Sequence, residues 1–204
     1  MRYTSSALPV VLAVALSAGP LPAGRVAAQS AQSPSACVLV AQAVQRVGEI
    51  AIDGRLDEAE WQRAQPLAGF VASEPVEGVA AEHDTQVRIL YDADAVYVGA
   101  RMEDSNPETI FRQLTRRDQL GDVADYFGIS LDTDLDRRTA YTFLVSAAGV
   151  QADQYRFDDT STDNSWDAVW ASAVSLDGQG WTAELRIPLS QLRFAASSQP
   201  QSWG

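Results

Sequence analysis

The sequence has 204 residues, of which 46% are hydrophobic, so the chain is long enough and apolar enough to fold around a core. Its formal net charge is −12, with 27 acidic against 15 basic residues, which argues against nucleic acid as a partner because such binding requires patches of lysine and arginine. The single cysteine, Cys37, excludes an intramolecular disulfide.

Residues 1–28 have the three parts of a secretory signal peptide. Arg2 supplies positive charge, residues 7–16 form a short apolar run, and Val26-Ala27-Ala28 offers small residues where a signal peptidase cleaves. A transmembrane anchor is the alternative, but the apolar run is shorter than the roughly 20 residues that a helical span requires. We therefore expect an exported protein that is cleaved after Ala28.

Residues 29–47 are rich in Ala, Gln, Ser and Val without a clear period, and we interpret them as a linker. The domain is expected to occupy residues 48–204. It begins with a turn at Asp53-Gly54 and one short helix, which Asp57 can cap. Trp61 lies on one face of that helix, where we expect it to act as a lid over the core.

Strand periodicity dominates the rest of the chain. Alternating apolar residues and turn signals predict strands over residues 85–92, 95–103, 126–132, 139–147, 150–158, 168–176 and 181–187. The intervening segment 105–124 is polar and is predicted to be a long loop, as is segment 159–167. Short strands at this spacing indicate a β-sandwich or a β-barrel.

Four segments of the sequence together resemble the family 9 carbohydrate-binding modules. Their order and spacing carry the resemblance, which extends from about residue 48 to the end. The segments are Ile52-Asp53-Gly54-Arg55-Leu56-Asp57-Glu58 with Trp61; Val87-Arg88-Ile89-Leu90-Tyr91-Asp92 with Val96-Tyr97-Val98-Gly99-Ala100-Arg101; Asp125-Tyr126-Phe127-Gly128-Ile129-Ser130-Leu131-Asp132; and Gly180-Trp181-Thr182-Ala183-Glu184-Leu185-Arg186-Ile187-Pro188.

The resemblance implies an all-β, antiparallel β-sandwich of jelly-roll type that binds carbohydrate and does not catalyse a reaction. It also implies calcium in some members. The most similar branch consists of exported bacterial proteins in which an outer-membrane region follows the module. We therefore expect a role in polysaccharide catabolism, in the periplasm or at the outer membrane, within a longer parent protein. The final segment, residues 201–204, resembles the start of a further strand, so we expect this sequence to be a fragment.

The sequence departs from the xylanase-linked members of that family at their sugar site. Those members hold a sugar between two tryptophans, one of them in the loop before the strand that begins here at Asp125. The corresponding loop, residues 118–124, contains no aromatic residue. Their sugar-contacting carboxylate and arginine align with Gly128 and Leu144. An accessory domain that binds no sugar is therefore the alternative function.

Sugar recognition requires flat aromatic faces and fixed polar groups. Trp166 is the first candidate because it lies in a polar loop, although a tryptophan is more commonly packed against a core. Tyr155, which can present its hydroxyl group, and Asp125, at the start of a strand, complete the predicted carbohydrate-binding set.

The acidic segment 132–136 has carboxylates at the 1, 3 and 5 positions of a possible calcium loop. Arg137 and Phe143 stand where an EF-hand loop has glycine and glutamate, so we interpret the segment as a solvated acidic turn and keep calcium as the alternative. Catalytic patterns are weak, since His83 is the only histidine and no nucleophile motif accompanies it. A glycoside hydrolase remains the least favoured function.

Overall fold

The computed structural model describes residues 40–120, 124–158, 161–197 and 199–204. In this part of the chain the strands are β1 Val44–Gln45, β2 Thr85–Tyr91, β3 Ala95–Glu103, β4 Tyr126–Leu131, β5 Ala140–Ser146, β6 Gln151–Phe157, β7 Ser161–Asp163, β8 Ala171–Asp177 and β9 Gly180–Pro188. Three short 3-10 turns accompany them: Trp61–Arg63, Pro107–Thr109 and Leu189–Gln191. Within the same residues, no helix has both the length and the apolarity that a membrane crossing needs.

The strands form two sheets, which confirms the predicted all-β sandwich. The five-stranded sheet has the order β1-β2-β3-β9-β8, and the four-stranded sheet has the order β4-β5-β6-β7. All pairings between neighbouring strands are antiparallel except the two-residue contact of β1 with β2. The chain crosses from the first sheet to the second between β3 and β4, and it returns between β7 and β8.

The main core lies between the two sheets, because alternate residues of each strand point toward the opposite sheet. From the five-stranded sheet, Val98, Leu185 and Ile187 are fully buried there, and from the four-stranded sheet Phe143 and Val145 meet them. This burial confirms the inward phase that the alternation of the sequence predicts for β3, β5 and β9.

The turn between β2 and β3 is fixed by the carboxylate of Asp92. Its Oδ1 accepts hydrogen bonds from the backbone N–H groups of Asp94 and Ala95, both at 2.8 Å. Its Oδ2 accepts from the hydroxyl of Tyr97 at 2.9 Å and pairs with Arg46. Burial acts to raise the pKa of Asp92, but these donors outweigh burial and hold the pKa at about 2.

The outer face of the five-stranded sheet is covered by residues 48–64, which we call the N-terminal cover. Trp61, at 0% exposure, packs there with Leu90 and Tyr97, which confirms the predicted lid. Gly99 of β3 makes room for it, since a Cβ at that position would lie 2.9 Å from the indole ring. The predicted short helix is present as the single 3-10 turn Trp61–Arg63, and its side chains provide no cap.

Two short strands lie where the sequence predicts none. Strand β1 falls inside the predicted linker 29–47, so ordered structure begins before residue 48. Strand β7 falls inside the predicted loop 159–167. With two and three residues, these strands are too short for an alternating pattern to be visible. The predicted signal peptide, residues 1–28, and residues 29–39 of the linker lie outside the described residues.

The last residues of the sequence pack against the sandwich. Trp203 contacts Phe194 with 5.4 Å between ring centroids, and it adjoins the main core. Gly204 and Asp132 exchange two backbone hydrogen bonds, of 2.8 and 2.9 Å, beside the end of β4. The expectation that the sequence is a fragment of a longer protein stays a prediction.

Candidate functional site

The structure places Trp166 at the margin of the main core. Its ring lies 5.2 Å from that of Tyr141 and 5.7 Å from that of Phe143, measured between centroids, and the side chain is partly buried. Both partners point inward from β5. Trp166 therefore packs against the inner side of the four-stranded sheet and does not stand free in solvent.

Tyr155 belongs to the same group of aromatic side chains. It is paired with Tyr141 across β5 and β6, with 5.2 Å between ring centroids, and it stacks on Phe157 at 6.2 Å with an interplanar angle of 15°. Tyr141 thus connects two of the predicted sugar-binding residues, Trp166 and Tyr155, in one cluster. Phe157 is the most exposed member of this cluster.

Asp125 has a different environment from these aromatic residues. Its carboxylate accepts the backbone N–H of Phe111 at 3.0 Å, and its own N–H donates to the carbonyl oxygen of Phe111 at 2.8 Å. Its carbonyl oxygen accepts from the N–H of Ala147 at 2.8 Å. Asp125 therefore joins the start of β4 to the preceding loop and to the end of β5.

A groove of about 520 Å³ lies on the outer face of the four-stranded sheet, and we call it the outer groove. Its lining residues are Asp118, Leu120, Tyr126, Gly128, Ser130, Thr142, Leu144, Ala152, Asp153, Gln154, Arg156 and Asn164. Most of them are the outward-pointing residues of β4, β5 and β6; Asp118 and Leu120 come from the loop before β4, Asp153 from β6, and Asn164 follows β7.

The floor of the outer groove is divided into an apolar row and a polar row. Gly128, Leu144 and Ala152 are aligned across β4, β5 and β6, and Leu120 packs against the last two. One step along the strands, Ser130, Thr142 and Gln154 are aligned in the same way. The hydroxyl groups of Ser130 and Thr142 are hydrogen bonded at 2.8 Å, so the polar row is partly preorganised.

Gly128 and Tyr126 determine the shape of the groove at its apolar end. A Cβ at Gly128 would lie 2.8 Å from Cδ2 of Leu144, so glycine allows that leucine to lie flat across the floor. Tyr126, two residues earlier on the same face, is 55% exposed. It is the aromatic side chain that the groove offers to a ligand, and its ring edge and hydroxyl suit an amphipathic partner.

An ion pair between a partly exposed arginine and a buried carboxylate holds residues 111–120 against the sheet. The guanidinium of Arg117 contacts the carboxylate of Asp153, whose side chain is fully buried. Asp153 also accepts from the N–H of Ala168 at 2.6 Å and from Nε1 of Trp170 at 3.2 Å. Because every oxygen of this carboxylate is used, the pair acts as a fixed anchor for the loop.

The next residue in the loop, Asp118, completes the wall of the groove. Its N–H donates to the carbonyl oxygen of Gln151 at 3.1 Å, and its carboxylate accepts from the N–H of Asp153 at 3.2 Å. The backbone of Asp118 is in the left-handed region, with φ of 65°. This turn directs the chain back over the sheet and brings Leu120 above the apolar row.

The acidic segment 132–136 closes the turn between β4 and β5. Asp132 accepts from the N–H groups of Asp136 and Arg137, at 3.2 and 2.7 Å. The carboxylate of Asp136 accepts from the N–H groups of Arg138 and Thr139, and these bonds lower its pKa. The two carboxylates are thus engaged with the backbone of the turn; Asp132 is buried, whereas Asp136 is exposed. No group of three or more acidic, histidine or cysteine side chains placed to hold a metal ion occurs among the described residues.

Strand periodicity alone does not reveal the outer groove, because the alternating apolar residues of β4, which are Phe127, Ile129 and Leu131, point to the core. The family resemblance does indicate this region, since it aligns Gly128 and Leu144 with sugar-contacting residues. The local sequence signal for the groove is the outward phase of β4. It presents an aromatic residue, Tyr126, then a glycine, Gly128, and then a polar residue, Ser130. The wall from loop 111–124 has no periodic signal, since the anchor joins Arg117 to a residue 36 positions later.

The arrangement can bind a ring-shaped, polyhydroxylated molecule. Its apolar row can contact carbon-bound hydrogens, and its hydroxyl and amide groups can exchange hydrogen bonds with hydroxyl groups. Among the described residues that line the groove there is no histidine, cysteine or lysine.

Comparison with protein families gives a match over most of the chain. The family described as "Carbohydrate family 9 binding domain-like" matches residues 52–204. No curated protein sequence matches the chain.

Solved structures with a similar fold include two of a family 9 carbohydrate binding module from Caldicellulosiruptor kristjanssonii. The complex with cellotriose is 19% identical with a TM-score of 0.50, and the match covers 72% of this chain and 66% of that chain. The complex with glucose is 18% identical with a TM-score of 0.50, covering 73% and 70%. A candidate carbohydrate-binding protein from Bacteroides uniformis ATCC 8492 is 12% identical with a TM-score of 0.57, covering 79% and 78%. At these identities the likeness shows a shared fold, and the chain spans just under two thirds of the first of these structures.

Proposed function

We propose that this chain, which belongs to the carbohydrate family 9 binding domain-like family, binds a glycan without cleaving it, and that the outer groove holds the sugar. The observation that carries the proposal is the pairing of an apolar row with a polar row on one open sheet face. The two Caldicellulosiruptor structures of the same fold are complexes with cellotriose and glucose, which supports a carbohydrate as the ligand class.

The chemistry of a sugar ring fits the two rows of the groove. A pyranose has carbon-bound hydrogens on its faces and hydroxyl groups around its edge. With one face over Leu144, a ring can direct its hydroxyl groups toward Ser130 and Gln154 in the next row, while the buried Thr142 holds the hydroxyl of Ser130 in place. Contact with the apolar row stabilises the bound face of the sugar ring, and the fixed polar groups determine how the ring is oriented in the groove. Tyr126 adds an exposed aromatic side chain at the apolar end.

We further propose that the protein is exported and serves polysaccharide catabolism in the periplasm or at the outer membrane. The features of residues 1–28 support export, since a charged start, an apolar run and small residues before Gln29 are the parts of a signal peptide. A binding module without catalytic groups contributes to catabolism by holding a glycan near an enzyme, and that enzyme is then a separate domain or protein.

Two exposed tyrosines allow a matched test of the site. Tyr126 lies in the outer groove, and Tyr91, at 40% exposure, lies at the end of β2 in the other sheet. Calorimetric titration with cello- and xylo-oligosaccharides is expected to show about tenfold weaker binding for Tyr126→Ala and unchanged binding for Tyr91→Ala. Equal affinities for both variants and the parent protein would contradict the groove as the site.

An accessory domain that binds no sugar is the second candidate. The observation in its favour is the loop 118–124, which contributes Leu120 to the groove and has no aromatic residue. A glycan array separates the two functions: signals on defined glycans that disappear in Tyr126→Ala favour sugar binding. A blank array from folded protein favours the accessory role.

A further inference from the structure

The charged groups of the outer groove are not equivalent. Asp118 and Asp153 both lie beside Arg117: its Nε is 3.6 Å from Oδ2 of Asp118, and its Nη2 contacts Asp153 directly. Arg117 is thus shared among these two carboxylates and that of Asp167, which lies 3.1 Å from its Nη2, so this side of the groove keeps a net negative charge. The carboxylate of Asp153 is buried with both oxygens occupied, and that of Asp118 is partly exposed.

Arg156, the third charged residue of the groove, is in a different situation. No described carboxylate lies within 4.0 Å of its guanidinium, although the chain has 27 acidic residues. Its cross-strand neighbours are Ala140 and Thr162, which carry no charge. The acidic residue two positions later, Asp158, is engaged by Arg138 at 2.8 Å. The described surroundings thus leave an exposed cation at one end of the groove.

The position of Arg156 relates it directly to the proposed sugar site. Gln154 and Arg156 are two residues apart on β6 and point to the same face, which places their Cα atoms about 7 Å apart. A sugar ring over the apolar and polar rows therefore brings its exocyclic substituents toward the guanidinium. A planar guanidinium binds a carboxylate through two parallel hydrogen bonds, which a neutral hydroxymethyl group cannot reproduce.

Resting on the proposed function, we propose that the outer groove selects acidic glycans and that Arg156 binds the carboxylate of a uronic acid residue. The apolar row and the polar row then bind the ring itself, and Arg156 supplies the discrimination between charged and neutral sugars. Because the cation is exposed, this preference is sensitive to ionic strength.

The test compares two ligands of equal length by calorimetric titration: a xylo-oligosaccharide that carries one glucuronic acid branch and the same oligosaccharide without it. The parent protein is expected to bind the acidic ligand about tenfold more tightly at low ionic strength, with a smaller difference at high salt. Arg156→Gln is expected to remove this difference and to keep the affinity for the neutral ligand.

A matched control is available on the opposite side of the sandwich. Arg55 is exposed in the N-terminal cover, and Arg55→Gln makes the same change in net charge without touching the groove. It is expected to retain the preference for the acidic ligand. If Arg55→Gln and Arg156→Gln weaken that preference equally, the effect is one of net charge and the assignment to Arg156 is wrong.

Two other results separate this inference from the function on which it rests. Tight binding of the neutral oligosaccharide with no preference for the acidic one overturns the role of Arg156 and leaves the sugar-binding function in place. If folded parent protein binds neither of these ligands and no other glycan, both proposals are overturned.

Discussion

Glu184 provides the sharpest test of the forces that hold the N-terminal cover in place. This residue points outward from the middle of β9, yet its exposure is 0% because the cover lies over it. Its Oε2 accepts the N–H groups of Asp53 and Gly54, at 2.9 and 2.7 Å, and its Oε1 accepts Nε1–H of Trp61 at 2.9 Å. One carboxylate thus links the sheet to two parts of the cover.

Burial raises the pKa of Glu184 from 4.5 to about 7, and the nearby carboxylate of Glu58 acts in the same direction. The three donors act against this rise but do not cancel it. The folded protein therefore binds more protons than the unfolded chain between pH 4.5 and about 7. The free energy of unfolding consequently falls as the pH rises through that interval, and the contribution of this group is constant above it.

The size of the effect follows from the two pKa values. A tenfold change in proton affinity corresponds to about 1.4 kcal/mol, so the rise from 4.5 to about 7 corresponds to about 3 kcal/mol of stability lost between those pH values. Glu184→Gln removes the titration, since a glutamine resembles the protonated acid at all pH values. Its amide leaves at least one of the three buried donors unpaired, at a cost of about 1–3 kcal/mol that does not depend on pH.

The assay is urea denaturation of the parent protein and of Glu184→Gln at several pH values from 4.5 to 8. The difference between the two free energies of unfolding cancels the contributions of the other acidic groups, which both proteins share. Asp92 is one of these groups, and it titrates at lower pH. The variant is expected to be less stable at pH 4.5, and the difference is expected to shrink or reverse as the pH rises to 7. A difference that stays constant from pH 4.5 to 8 would refute the argument.

The remaining predictions concern the core, the anchor, the groove floor and export. Trp166→Ala is expected to lower the free energy of unfolding by about 3 kcal/mol and to leave glycan affinity nearly unchanged; lost binding at unaltered stability in a denaturant titration would favour a sugar platform. Asp153→Asn, which removes the carboxylate that Arg117, Ala168 and Trp170 share, should cost about 1–3 kcal/mol because a buried donor loses its acceptor, and it should also weaken glycan binding; both effects are measurable by titration. Gly128→Val should fill the floor and abolish binding while circular dichroism stays native; unaffected affinity would count against the groove. Intact-mass measurement of exported protein should find Gln29 at the N-terminus, and a retained Met1 would contradict cleavage.

The framework of this fold was predictable from sequence because its main strands are long and alternate cleanly. β3 illustrates the point: Val96, Val98 and Ala100 share a phase over nine residues, and turn residues bound the strand on the N-terminal side. The N-terminal cover was predictable in part, since Trp61 could be recognised as a lid. Its buried acceptor, Glu184, lies 123 residues away, and no local pattern connects the two.

The candidate site was less predictable because it depends on which side of each sheet remains open. Trp166 was predicted to bind sugar because it is an aromatic residue in a polar loop. The polarity of its neighbours in sequence does not show which residues it packs against in the folded protein. Its partners, Tyr141 and Phe143, come from β5, some 23 to 25 positions earlier. A polar loop can therefore carry a side chain that turns inward, as this one does.

The two outer faces of the sandwich explain where a ligand can lie. On the five-stranded sheet, the N-terminal cover fills the outer face so completely that an outward-pointing glutamate is buried, and Gly99 serves to admit an indole ring. On the four-stranded sheet, Gly128 occupies an outward position of the edge strand and no tryptophan packs over it among the residues described there; the space above it stays open as the groove. Glycine on an outward strand position thus has two opposite uses in one molecule, and the segment that packs above each glycine decides between a sealed face and a binding face.

The two glycines are therefore expected to respond differently to the same substitution. Gly99→Ala should destabilise the fold by displacing Trp61. Gly128→Ala should leave stability almost unchanged, because its neighbour Leu144 can move into open space, and it should weaken glycan binding. Thermal denaturation of both variants measures the contrast, and equal losses of stability would contradict it.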